Sequence, residues 1–200
     1  NSFEQFTTCP NSSTLQNAFN SKPDYWYKPD KRAAIYYNNC ASVGSNMSTP
    51  SHGLSCWSGG FQNTKTGLAY IGMFYLNAPG TNSRNYFAVK LLDSLKTSKC
   101  YYAECFVNLG NCWQLACNNQ AMLFTNNPVY VDTANSLQIL PATPQVQNPY
   151  IVTDTLNWVK IAGVFTAQGG EQYLTLGNFK YDNQTNFTLV NPSGGYYGAG

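Results

Sequence analysis

The sequence predicts an all-β fold, and three observations carry that prediction. The first is the stretch 158–181, WVKIAGVFTAQGGEQYLTLGNFKY. Its first half sets Val159, Ile161 and Phe165 on one side and Trp158, Ala162 and Val164 on the other, so a strand apolar on both faces is expected between two layers. Gln168-Gly169-Gly170 supplies residues that tolerate positive φ, and Tyr173, Thr175 and Phe179 then alternate with Leu174, Leu176 and Lys180, which predicts a hairpin. The second observation is that alternating segments recur along the chain, punctuated by Gly, Pro and Asn, while no helical period lasts three turns. The third is length: 200 residues suit one all-β domain. Seven or more short strands of this kind predict a β-sandwich or jelly roll of two antiparallel sheets with long disulfide-tied loops, spanning 1–200 as a single domain.

Taken in order, NSFEQFTTC (1–9) is a strand-like opening that stops at Pro10. The text from there to Asn39 reads as a long decorated loop, with Tyr25-Trp26-Tyr27 set between Pro23 and Pro29 and Ile35-Tyr36-Tyr37 after it. Residues 41–63, rich in Ser, Gly, Asn and Pro, are expected to form another loop, which carries His52, Cys56 and Trp57. GLAYIGMFYL (67–76) is a strand, with Ala69, Ile71, Met73 and Tyr75 opposite Tyr70 and Phe74, closed by Asn77-Ala78-Pro79-Gly80. Residues 85–92 alternate as another strand. CYYAECFVNL (100–109) places Tyr101, Ala103, Cys105, Val107 and Leu109 on one face and Cys100, Tyr102, Glu104 and Phe106 on the other. Shorter strands are expected at 120–125 and at Val129-Tyr130-Val131, before a Pro-rich connection at 141–149.

Charged residues make up only 10% of the chain and aromatics 15%, where globular proteins carry about a quarter charged residues. That balance points to a secreted or surface-displayed β protein hydrated by amides and hydroxyls. With a net charge of +2 and no Lys/Arg cluster, nucleic acid is disfavoured as a partner. No apolar run is long enough to span a bilayer as a helix, so no membrane insertion is expected, and no basic-then-apolar leader opens the chain. Seven cysteines without CxxC pairs point to disulfides in an oxidising compartment rather than to zinc. Cys9 and Cys40 bracket the first loop and are the expected first bridge. Cys112 and Cys117 could staple their own short loop, and Cys56 with Cys100 is the third candidate pair. That scheme leaves Cys105 as a buried free thiol.

Several stretches, in this order, resemble one family: Asn-Ser-Phe-Glu (1–4), Cys9-Pro10, Tyr-Tyr-Asn-Asn-Cys (36–40), Thr-Gly-Leu-Ala-Tyr-Ile-Gly (66–72), Arg84-Asn85-Tyr86, and Gly-Gly-Glu-Gln-Tyr-Leu (169–174) followed by Gly177-Asn178-Phe179. They are similar to jelly-roll domains of secreted and outer-membrane-associated proteins of Bacteroidota, often joined to OmpA-like or type IX secretion sorting modules. The resemblance runs from residue 1 to about residue 181. It implies a fold like that of galactose-binding-like carbohydrate-binding modules, in which the early Glu, here Glu4, helps to hold a structural calcium. The family usually closes on an aromatic run leading into Ile-Asp-Asp-Val, whereas this chain reads Gly-Gly-Tyr-Tyr-Gly-Ala-Gly (194–200). The closing strand is therefore expected to be missing or supplied from outside these residues, leaving an open sheet edge.

No GxSxG, HExxH or P-loop pattern occurs, the one histidine sits in a Ser/Gly loop, and the nine acidic residues are scattered. Glu171, just after the turn glycines, is expected to hold the turn through backbone N–H groups. Sugar binding, by contrast, needs aromatic faces to stack on pyranose rings and polar groups to bond hydroxyls. Tyr25, Trp26, Tyr27, Trp57 and Trp113 are the candidate aromatics, with Arg84 beside them. The sequence thus reads as an extracellular, non-catalytic adhesion domain that recognises a glycan or cell-surface polysaccharide. The alternative is a structural subunit of a surface filament or matrix, self-associating through an open sheet edge. A secreted glycan-active enzyme is the third reading.

Overall fold

The computed structural model describes residues 3–10, 22–30, 34–42, 45, 47–50, 60–131, 139–195 and 197–200. His52, Cys56, Trp57 and Asp132 lie outside them. Among the described residues the chain is all-β: antiparallel strands joined by turns and loops, with one 3-10 turn at Asp182–Gln184. Among the described residues no helix is long and apolar enough to cross a membrane.

The largest sheet has five strands. Its centre is β5 (Phe87–Lys90), β11 (Tyr173–Gly177) and β8 (Ala121–Thr125), flanked by β1 (Trp26–Tyr27) and β9 (Val146–Gln147) in the order β1-β5-β11-β8-β9. The central strands read as near-continuous apolar runs because both their faces are covered. On one face Trp26, Phe87, Val89, Met122, Phe124 and Leu176 join the main core. On the other, Ala121 and Leu123 pack with Tyr86, Val131 and Phe179. The edge strands are two residues long, which leaves little ladder open at either side.

Facing the first of these surfaces is a two-stranded ribbon, β6 (Cys100–Val107) with β10 (Val159–Thr166), paired over eight residues from Val159 opposite Val107 to Thr166 opposite Cys100. Ala103, Cys105, Val107, Val159, Ile161 and Phe165 turn inward onto the main core, as the alternation of β6 predicts. The outer face of β10 is not covered: Ala162 is exposed and Val164 is 63% exposed. The strand expected to be apolar on both faces is thus buried on one.

The predicted 158–181 hairpin does not form. β10 pairs with β6 while β11 pairs with β5 and β8, so the two strands belong to different sheets. The connection between them is held by other partners. Ala167 N–H donates to the Lys99 carbonyl and Gly170 N–H to that of Leu95, while Gln172 N–H donates to the carbonyl of Thr125. Those bonds carry the chain from one sheet to the other.

Smaller pairs complete the fold: β2 (Ile35–Asn38) with β3 (Ala69–Gly72), β4 (Leu76–Asn77) with β13 (Gly198–Ala199), and β7 (Leu115–Cys117) with β12 (Phe187–Leu189). The single strand expected at 67–76 is therefore two. Asn85 separates them, its side chain accepting from Phe74 N–H and its own N–H donating to the Phe74 carbonyl. Val129-Tyr130-Val131 is not a strand; Val131 N–H donates to the Pro29 carbonyl and lays this segment across the outer face of the large sheet. Residues 3–10 also form no strand. They lie against the sheet, where Phe3 packs 4.8 Å from Trp26 and its carbonyl accepts from the Tyr36 hydroxyl.

Cys9 and Cys40 form a disulfide across 31 residues. The other two expected pairs are absent. Cys112 is disulfide-bonded, but Cys117 is a free buried thiol, because it ends β7 and packs with Leu76, Leu115 and Ala199. Cys100 is also free, exposed at the start of β6 opposite Thr166. Cys105 is the expected free thiol, half-buried on the inner side of the same strand.

Candidate functional sites

Period-two alternation divides the Tyr25-Trp26-Tyr27 cluster between two places. Trp26 is 3% exposed and turns into the core, its ring 5.6 Å from Phe87. Tyr27 stands on the opposite, outer face of the large sheet, because Tyr27, Ala88 and Thr175 lie directly opposite one another across β1, β5 and β11. Its ring lies 5.7 Å from Tyr130 and 6.5 Å from Tyr173. Tyr130 is 67% exposed, and Tyr25, entering β1 with a φ of 67°, is 76% exposed. Lys90, opposite Tyr173 in the register, is exposed beside them. The result is a shelf of tyrosines in which the Tyr25 and Tyr130 side chains are exposed and the Tyr27 hydroxyl is buried. Burial pushes the Tyr27 phenol up to about 12, so it remains a neutral donor and acceptor. The same desolvation pushes the neighbouring Lys28 down to about 8.

The second place is a cavity of about 700 Å³ between the large sheet and the strands opposite it. Met122, Leu174 and Leu176 form its floor, Ile71 and Met73 one wall, and Cys105 and Val107 the other. Trp26, Trp113 and Trp158 all line it. Trp158 is fixed by donation from its indole nitrogen to the Asn63 carbonyl at 3.0 Å and by an edge contact with Tyr70 at 5.8 Å. Trp113 meets Phe74 edge-on at 4.7 Å. Lys65, Thr66, Glu104 and Phe106 are exposed where the cavity reaches solvent. There the Lys65 ammonium sits 4.9 Å above the Phe106 ring.

Arg84 does not join either place. It is fully buried, donating to Asp182 at 2.6 Å and to the carbonyls of Ser83 and Lys180. Asp182 in turn accepts from Gly80 N–H and Asn82 N–H. Instead of bonding a ligand's hydroxyls, this guanidinium ties the 80–84 turn to the 180–185 segment. Glu4 uses both carboxylate oxygens on Leu68 N–H, at 3.1 and 3.0 Å. No group of three or more His, Cys, Asp or Glu side chains is arranged to hold a metal among the described residues.

Five further carboxylates also hold backbone or side-chain donors. Asp24 accepts from Thr7, Asp30 from Tyr86 N–H, Glu104 from the Tyr102 hydroxyl, and Asp154 from Leu156 and Asn157. Glu171 accepts from Gln168 and Gly169 N–H, both at 2.7 Å. Burial and the nearby Glu104 carboxylate push the Cys105 thiol up to about 12. It therefore stays protonated at neutral pH and is no activated nucleophile.

Sequence reasoning missed Tyr130, Tyr173 and Lys65. The alternation of β11 could have placed Tyr173 on the face of Thr175, but nothing local shows that Tyr130 crosses to Tyr27 or that Lys65 sits over Phe106. Compared with protein-family models, with curated proteins and with solved structures, the chain gives no match.

Proposed function

We propose that this chain is a secreted, non-catalytic adhesion domain of jelly-roll β-sandwich type that recognises a glycan through the tyrosine shelf on the outer face of its large sheet. The observation that carries the reading is the cluster of Tyr27, Tyr130 and Tyr173, with ring centroids 5.7 and 6.5 Å from Tyr27, beside the exposed Tyr25. Flat aromatic faces stack on the C–H faces of pyranose rings, and the exposed phenols of Tyr25 and Tyr130, with Lys90, can bond sugar hydroxyls. The engagement of Glu4, Asp24, Asp30, Glu104, Asp154, Glu171 and Asp182 in structural hydrogen bonds supports binding over hydrolysis, which needs two carboxyl groups facing one bond. The Cys9–Cys40 disulfide and the scarcity of charge support an oxidising, extracellular setting.

The test is a glycan array followed by titration of the strongest hit. Tyr130→Ala and Tyr27→Ala each weaken binding by about tenfold, the loss of one stacking face. Trp26→Ala destabilises the fold through its buried ring. An array with no hit, or tyrosine variants that bind as wild type, ends this reading.

A second reading, a filament or matrix subunit, is favoured by the β6–β10 ribbon, whose eight-residue strands each have one ladder among the described residues. A neighbouring chain could add to such an edge. Sedimentation over a wide concentration range decides it: growth into fibres supports the subunit, and a monomer throughout removes it.

A further inference from the structure

We infer that the interlayer cavity is a second binding site, separate from the tyrosine shelf, for a small anionic amphiphile: a molecule with an apolar chain or ring body and one carboxylate. Three observations point to this. The volume of about 700 Å³ falls in the range of small-molecule sites and far exceeds an ordinary packing void. The lining is mainly apolar and includes nine aromatic side chains, so the interior rewards burial of hydrocarbon and offers little to a polyhydroxylated sugar.

The third observation is the charge at the entrance. Lys65 is exposed there, over Phe106, and has no carboxylate within ion-pair distance among the described residues. Glu104, on the opposite wall, is already bonded by the Tyr102 hydroxyl and lies 3.9 Å from the Lys160 ammonium. Glu4, the other carboxylate of the lining, gives both its oxygens to Leu68 N–H. Of the charged side chains that line the cavity, Lys65 is thus the one whose donors meet no hydrogen-bond or ion-pair partner among the described residues. A carboxylate placed there meets Lys65 and the Thr66 hydroxyl while its apolar body extends past Ile71 and Cys105 toward Met122. A cationic head would meet Lys65 as a like charge.

Trp26, Trp113 and Trp158 line this cavity, so fluorescence reads its occupancy. The probe is ω-bromododecanoate, whose terminal bromine quenches indoles at short range, titrated below the concentration at which it aggregates. The expected result is saturable quenching at one molecule per chain, reversed by unlabelled dodecanoate. Dodecanol displaces about tenfold less well, and dodecyltrimethylammonium less well again. Lys65→Glu weakens dodecanoate about tenfold and leaves dodecanol unchanged, while Ile71→Trp, which fills the cavity, abolishes quenching with the circular dichroism spectrum retained.

Quenching that never saturates overturns the site, as does quenching that Ile71→Trp leaves intact. Dodecanol binding as tightly as dodecanoate overturns the carboxylate. If Ile71→Trp fails to fold, equilibrium dialysis of dodecanoate against the wild-type chain replaces it, and absence of one-to-one binding overturns the site. Tyr130→Ala leaves quenching unchanged, so loss of glycan binding and loss of amphiphile binding are separable.

Discussion

Arg84 and Asp182 show what a single charged pair does in a chain that has few. Arg84 is fully buried and its partner nearly so, and together they join the turn before β5 to the segment after β11. Removing one partner of such a pair leaves an uncompensated charge in a poorly solvated place, which costs about 3–5 kcal/mol. Asp182→Ala is expected to lose about that much in urea unfolding with little change in slope; a loss below 1 kcal/mol would mean that water reaches Arg84. Amides do similar work elsewhere. Asn118, Asn119, Gln120, Asn148 and Asn178 are buried, and Asn148 alone bonds Gln120 and the Tyr150 backbone. The Asn- and Gln-rich composition thus builds loops from inside as well as wetting the surface, because a buried amide satisfies backbone groups without the desolvation cost of a charge.

At the scale of elements, the connection from β10 to β11 decides the topology. Gly169 and Gly170 both have positive φ, as the sequence predicts, but the turn they make leads to another sheet. Glu171 anchors it as expected. Burial raises its carboxyl, yet the backbone N–H groups of Glu171, Gln168 and Gly169 outweigh that and hold it below the ordinary value of 4.5. A depressed carboxyl contributes stability above its unfolded pKa and loses it as pH falls through the folded one. Glu171→Ala is therefore expected to cost about 1–3 kcal/mol at neutral pH, the cost of stranding donors to a charged acceptor. The gap to wild type should narrow as the pH falls below 4.5. A gap independent of pH would show that the carboxylate is not what holds the turn. The cluster of residues 25–27 makes the same point about locality: three adjacent aromatics read as one patch until β1 pairs with β5 and sends Trp26 one way and Tyr27 the other.

At the scale of the molecule, the Cys9–Cys40 bridge ties the opening segment, which forms no strand among its described residues, to the end of β2. Closing a loop of that length restrains the unfolded chain by about 2–4 kcal/mol. Cys9→Ser/Cys40→Ser should lower the thermal midpoint accordingly, and an unchanged midpoint would mean that the contacts of Phe3 and Asp24 hold the segment without it.

The sequence by itself determined the all-β class, the alternation of β6, the first disulfide and the role of Glu171. Each rests on neighbours within a strand or a turn, or on a loop whose two ends are both visible in the text. Only the tertiary structure decided which strands share a sheet, that Cys117 is a core thiol, that Arg84 is buried, and that Trp26 and Tyr27 fall into different aromatic clusters. Alternation fixes which side chains share a face but not which strand lies alongside. Those outcomes depend on contacts such as Tyr27 with Tyr130, Arg84 with Asp182 and Lys65 with Phe106, which join residues far apart in the chain.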